Sequence, residues 1–235
     1  MELKKSIWEN NDIKDFKIFE KTLKGNPIDC EWEQRIVNTK LECFARTSSK
    51  ARECFNEIKK GNYLEFLENN SIETHFDSIL SAYLISNTKD FDIFKRHLDK
   101  FVITIDNWAS ADTLRFSKQD KEKLFELSKC YLKNKLPFVR RVGLNIWFEL
   151  IKYDIYFDKV FEVLNSLKNE NEYYVNMCGA WLLSFCMIRN REKTLDYFRN
   201  NSTNSFVINK AISKCRDSYR VNHEDKEKLL KFKVK

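Results

Sequence analysis

Four glycines and two prolines are all that 235 residues contain. This scarcity constrains the fold more than any other feature of the chain. An all-β domain of this length needs many tight turns, and those turns draw on glycine for positive φ and on proline for fixed φ. Long helices joined by short polar loops need few of either. The apolar spacing agrees. Leu124, Leu127 and Tyr131 stand at i, i+3 and i+7. Gly143, Ile146, Trp147, Leu150 and Ile151 form a second helical stripe, Val160, Phe161, Leu164 and Leu167 a third, and Val175, Cys178, Leu182 and Phe185 a fourth. Alternating patterns are nearly absent, with Phe101–Ile105 the one competitor for a strand.

Punctuation divides the stripes. Gly25 and Pro27 are expected to end the first helical stretch, Ser48-Ser49 to cap a helix that stops at Gly61, and Asp106 to cap the helix that carries Trp108. Pro137 suits the first turn of a helix carrying Arg140, and Asn171 precedes another. The spacing predicts roughly a dozen helices. Three segments that begin near residues 107, 137 and 172 recur every 30 to 35 residues, close to helical-repeat periods. Short connections favour antiparallel neighbours. The expected fold is therefore all-α: a right-handed solenoid of stacked antiparallel helical hairpins. No linker or low-complexity segment divides it, so residues 1–235 are read as one domain.

Seven cysteines without a C-x-x-C pair read as reduced thiols. His75, His97 and His223 are scattered, so neither a metal site nor a cofactor is expected. The longest apolar run, Ala180–Ile188, is broken by Ser184 and too short for a bilayer. No signal peptide is visible, and the expectation is a cytoplasmic monomer without a membrane partner. Formal net charge is +7, unevenly spread: from Phe206 onward, nine Lys/Arg against four Asp/Glu give the tail +5. That asymmetry suits a polyanion, or simply a solvated last helix. Within it, Lys210 and Lys214 share a face of a continuous helix, as do Arg216 and Arg220, and the two pairs can flank one groove.

Three segments carry the candidate chemistry. In Asn107-Trp108-Ala109-Ser110-Ala111-Asp112, the indole and the carboxylate are four residues apart and share a helix face. A carboxylate beside an indole is costly in a core and useful around a cation. In Pro137-Phe138-Val139-Arg140-Arg141-Val142-Gly143, Arg141 lies off the Trp147 stripe and is expected to point away from that core. In Tyr173-Tyr174-Val175-Asn176-Met177-Cys178-Gly179-Ala180-Trp181, the tryptophan sits about 100° from the Cys178/Leu182 stripe, on an edge or an exposed face. Each residue has a structural reading as well. Trp108 can be core, as Trp147 is expected to be. Asp112 can cap a following helix or pair with Arg115. Arg140 and Arg141 can form an ordinary wet face, and Gly143 and Gly179 can mark close helix packing.

Taken together, these segments resemble the HEAT-like repeat DNA alkylation repair proteins, whose active members are alkylpurine DNA glycosylases. The matching residues are Trp108 with Asp112, Arg141 within Arg140-Arg141-Val142-Gly143, Trp181 with its preceding helix, and Asn209-Lys210-Ala211-Ile212-Ser213-Lys214-Cys215-Arg216. The resemblance runs from about residue 40 to the C-terminus. It implies a basic concave face for alkylated double-stranded DNA, with Asp112, Trp108 and Trp181 as catalytic residues and Arg141 on the DNA. Asp112 would stabilise a sugar that becomes cationic, the two indoles would hold the cationic base and the deoxyribose, and base flipping would not be required. The first forty residues do not match the family's N-terminal helices. Some branches are thought to lack excision activity. Noncatalytic DNA binding and a protein-interaction scaffold stand as the competing functions.

Overall fold

The structure is a computed structural model, and it describes residues 1–234. The chain is all-helical, with fifteen α-helices and one 3₁₀ turn among the described residues and an isolated bridge between Glu42 and Thr74 in place of any sheet. It forms two compact units, the first spanning Met1–Asp120 and the second beginning at Lys121. The first holds α1 (Asn10–Thr22), α2 (Pro27–Val37), α3 (Thr47–Ile58), α4 (Tyr63–Asn69), α5 (His75–Asn87), α6 (Phe91–Val102) and α7 (Trp108–Thr113). The second holds α8 (Lys121–Leu132), α9 (Pro137–Leu150), α10 (Asp154–Phe157), α11 (Lys159–Ser166), α12 (Tyr173–Arg189), α13 (Arg191–Asn200), α14 (Ser205–Asp217) and α15 (His223–Leu230).

Within each unit, helices stack on neighbours further along the chain as well as on the next in sequence, which is how helical repeats build a core. In the first, α3 packs on α5 and α5 on α7; in the second, α8 packs on α9, α9 on α12 and α12 on α14. The sequence explains which helices lie innermost. α5 is buried nearly all round, from His75 to Ser86, and α12 likewise presents buried side chains on several faces. A helix apolar on all sides is one sandwiched between others. α6 buries one stripe, Phe94, His97, Leu98, Phe101 and Val102, and so lies on the outside. In the first unit, Trp8, Phe16 and Phe66 meet edge to face, with Trp8 and Phe66 centroids 4.9 Å apart.

Trp147 is fully buried, as its stripe requires. Its indole N–H donates to the Ser128 hydroxyl at 2.7 Å, and that hydroxyl donates to the Gly143 carbonyl at 3.0 Å. The relay pins α8 to α9 where the backbones approach most closely. A Cβ on Gly143 would stand 3.1 Å from the Leu132 amide nitrogen and 3.2 Å from the Tyr131 Cβ. Both are fixed by the backbone and cannot yield. Gly143→Ala is expected to lower stability by about 1–2 kcal/mol: forcing α8 from α9 outweighs the roughly 1 kcal/mol that alanine gains in helix propensity. Urea midpoints of the two proteins measure it, and an alanine variant as stable as wild type contradicts the close-packing account of this glycine.

Several caps depart from the sequence reading. α1 ends at Thr22, and Pro27 starts the next helix at its first position, behind an Asn26 cap. α3 begins at Thr47 and ends at Ile58, short of Gly61. Ser48 and Ser49 lie inside its first turn; Thr47 is the structural hydroxyl, accepting from the Phe44 amide and donating to Glu33. Residues 101–105 close α6 and the turn after it, because the helical stripe through Phe94, Leu98 and Phe101 overrides the local β preference.

Candidate functional site

Trp108 and Asp112 belong to the first unit, on α7. This helix has six residues, too few to persist by local bonding alone. Its ends are held by neighbours. Asn107, not Asp106, is the cap: its side chain accepts from the Ser110 amide at 2.8 Å, and it is fully buried. Asp106 has a different task. Its carboxylate accepts from the Thr39 hydroxyl at 2.7 Å, the Lys40 amide at 2.8 Å and the Asn107 side-chain amide at 2.8 Å, tying the stretch after α2 to the start of α7. At the other end, the Arg115 guanidinium donates to the carbonyls of Asp112 and Leu114 at 2.6 and 2.8 Å. Arg115 therefore pairs with the Asp112 backbone and satisfies the helix's last acceptors. Below, the Ser78 hydroxyl of α5 donates to that of Ser110 at 2.7 Å.

On this clamped turn, Trp108 and Asp112 are both partly exposed and one turn apart. The Trp108 indole N–H donates to the Ile36 carbonyl at 3.2 Å. That bond fixes the ring plane against the end of α2, which also carries exposed Trp32 and Ile36. Trp108 is thus neither core nor free surface. A cationic, flat ligand would find there a ring face and a carboxylate on one rigid element.

The second unit holds the other predicted residues, and here the orientation expected of Arg141 does not hold. Arg141 does not point away from the core. It is only 5% exposed, and its guanidinium donates to the Tyr174 carbonyl in the first turn of α12. α12 packs on α9 here, and the Cys178 thiol contacts the Asn145 side chain at 3.1 Å. Arg140 is not an ordinary wet face either. It makes a two-pronged pair with Glu170, at 2.7 and 3.0 Å, and also donates to the Asn134 and Lys135 carbonyls. Despite the burial that opposes it, the Arg140 hydrogen bonds hold the Glu170 carboxyl below the usual carboxylate range. Both arginines thus staple the start of α12 to α9.

Trp181 lies on the partly exposed edge of α12, packed on Phe148 and Phe185 with centroids 4.9 and 5.7 Å away. Lys214 reaches over the Trp181 ring, 5.9 Å from its centroid, and Arg220 lies 5.0 Å from that of Phe185. These four residues line a cleft of about 290 Å³ together with Ser184 and Asp217. The expectation of one long basic helix fails: α14 stops at Asp217, and Arg220 returns from the following turn to the aromatic pair. Lys210, on α14 near Phe206, is exposed. Arg216 is also exposed, but two residues on from Lys214 it lies roughly opposite on the helix. Sequence reading missed Phe185 as a wall of this cleft, although it stands four residues after Trp181.

The arrangement defines an all-helical repeat protein with an aromatic–carboxylate pair in one unit and an aromatic–cation cleft in the other. The chain belongs to the DNA alkylation repair enzyme family, whose family model matches residues 24–215. The match reaches back to include α2, further than the resemblance read from residue 40. Membership implies a role in DNA repair and DNA as the substrate. Neither curated proteins nor solved structures give a match. No helix among the described residues is long and apolar enough to cross a membrane.

Proposed function

We propose that this protein is a DNA glycosylase that hydrolyses the N-glycosidic bond of N3- or N7-alkylated purines in duplex DNA. The observation that carries the reading is the pairing of Trp108 and Asp112 on α7, one turn apart and clamped at both ends. An alkylated purine is cationic and departs as a neutral molecule, so its loss needs little general acid. It needs negative charge beside a sugar that becomes oxocarbenium-like, and a positioned water. Asp112 supplies the charge, and Trp108 the face for the cation. In the second unit, Trp181 offers a further aromatic face, packed on Phe148 and Phe185. The decisive assay is release of free base from methylated duplex DNA by the purified protein; DNA binding without release leaves a noncatalytic binder in place of the enzyme.

Phosphate contacts fall to Lys214 and Arg220 with Lys210 on the same side of α14, while Arg216, on the opposite side, would meet DNA only if the duplex reached that face. For Arg140 and Arg141, phosphate would have to compete with Glu170 and the Tyr174 carbonyl, so their first effect is on the α9–α12 junction. If Lys214 and Arg220 each neutralise one phosphate, the double alanine variant should lower the salt slope of DNA affinity by about 1.8, at roughly 0.9 per contact. Titrations of duplex DNA across a salt series give the slope. An unchanged slope removes both residues from the interface.

A further inference from the structure

We propose that the second unit carries a track for single-stranded DNA along the outer face of α12, where unpaired bases stack on aromatic rings and the backbone follows a row of cations. The composition of this face sets it apart. From Tyr173 to Ile188, every residue of α12 that is not buried is apolar or aromatic: Tyr173, Tyr174, Met177, Trp181, Phe185 and Ile188. At about 100° per residue these six fall within about 120° of the helix circumference, so they form one stripe. At about 1.5 Å per residue the stripe runs for roughly 23 Å, and none of its residues is charged. Solvent faces of helices are ordinarily polar, and a contiguous apolar one marks a surface that a partner covers. Tyr173, at the start of the stripe, is 55% exposed.

The neighbouring helix decides what kind of partner that is. α14 and the turn after it place three cations over rings along one edge of the stripe. Lys210 lies 5.9 Å from the Phe206 centroid, Lys214 5.9 Å from that of Trp181 and Arg220 5.0 Å from that of Phe185. Phe206 in turn meets Tyr173 at 5.8 Å, and Tyr173 meets Tyr174 at 5.2 Å. A row of cations thus runs beside a row of rings. A nucleic-acid strand repeats one phosphate and one flat base per unit, and the stripe is long enough for on the order of four such units. In a duplex the base faces are hidden by stacking on one another. An unpaired strand offers each ring a base face. An acidic peptide would satisfy the cations and leave the rings without flat partners. Asp217 also lines the cleft at Trp181, but Lys214 and Arg220 outweigh it there.

The track rests on DNA as the partner and not on base release, so the two readings fail separately. Anisotropy titrations of the full chain with a labelled oligodeoxythymidylate should show saturable binding. Tyr173→Ala and Phe185→Ala should each weaken it about tenfold, as loss of one base stack predicts, without altering its salt slope or the affinity for blunt duplex DNA. Lys214→Ala should instead lower the single-strand salt slope by about 0.7. Tyr173 is a surface ring, so its variant carries the test even where Phe185→Ala disturbs the aromatic packing, which circular dichroism would reveal. Duplex binding without single-strand binding overturns the track and leaves the glycosylase reading standing. The track is equally overturned by polyglutamate that competes as well as the unlabelled strand, or by a folded Tyr173→Ala variant that binds the strand like wild type. Tighter binding of oligouridylate than of oligodeoxythymidylate overturns the assignment to DNA.

Discussion

Asp112→Asn is expected to lower the rate of base release from methylated DNA by about 10²–10³, the range found when one preorganised electrostatic group is removed from a transition state. Asparagine keeps the volume and the position on α7 and removes only the charge. α7 should keep its geometry, because Asn107 holds its N-terminus, while at its C-terminus Arg115 binds the Asp112 carbonyl, which the substitution retains. The effect should therefore appear in the chemical step under single turnover and leave DNA affinity nearly unchanged. Trp108→Ala and Trp181→Ala should each lose less if each supplies one cation–π contact of about 0.5–2 kcal/mol. The ordering is the informative part. It follows from placing Asp112 at the reacting sugar, and an Asp112→Asn variant that excises as fast as wild type removes this carboxylate from the chemistry.

The second large effect concerns pH. Glu20 of α1 is 1% exposed, beside Asp77 at the start of α5. The Asp77 carboxylate is heavily engaged. It accepts from Lys17 at 2.6 Å, from the Thr74 hydroxyl and amide at 3.0 Å each, and from the Glu73 amide at 3.0 Å. Lys17 is only 3.9 Å from Glu20, but its close partner is Asp77. Burial first, and the neighbouring Asp77 charge second, push the Glu20 carboxyl up to about 8. An acid whose folded value lies above its unfolded value binds its proton more tightly in the folded chain. Its stabilising contribution is complete below about 4.5, shrinks as pH rises from there, and is gone above about 8. At about 1.4 kcal/mol per pH unit, the change across that window amounts to a few kcal/mol. Glu20→Gln stays uncharged and should lose far less stability between pH 5 and pH 9 than wild type, so the variant is the more stable protein at the alkaline end. Denaturant midpoints at a series of pH values test this, and parallel curves for the two proteins refute it.

What the sequence made legible was whatever depends on local periodicity. The α9 stripe through Ile146, Trp147 and Leu150 is written in the chain, as are Pro137 at the first turn of α9 and the placing of Trp108 and Asp112 on one helix face. Caps were less legible, because several short polar residues compete for each one. Asp106 and Asn107 stand side by side, and only the packing of α7 on α5, with Ser78 meeting Ser110, decides that Asn107 turns inward. Burial of Arg141 was not legible at all. Its guanidinium meets a carbonyl 33 residues further along the chain, and a wet-looking pair of arginines gives no sign of that. The same holds for Arg220, whose place over Phe185 depends on α14 stopping at Asp217.

The bond from the Trp108 indole to the Ile36 carbonyl joins residues 72 positions apart. Closing so long a loop costs entropy that a six-residue helix cannot recover from its own turns. The orientation of this tryptophan therefore depends on the packing of the first unit that brings α2 and α7 together. Lesions in the distant end of α2 accordingly count as lesions in the pair itself, although they alter neither of its side chains.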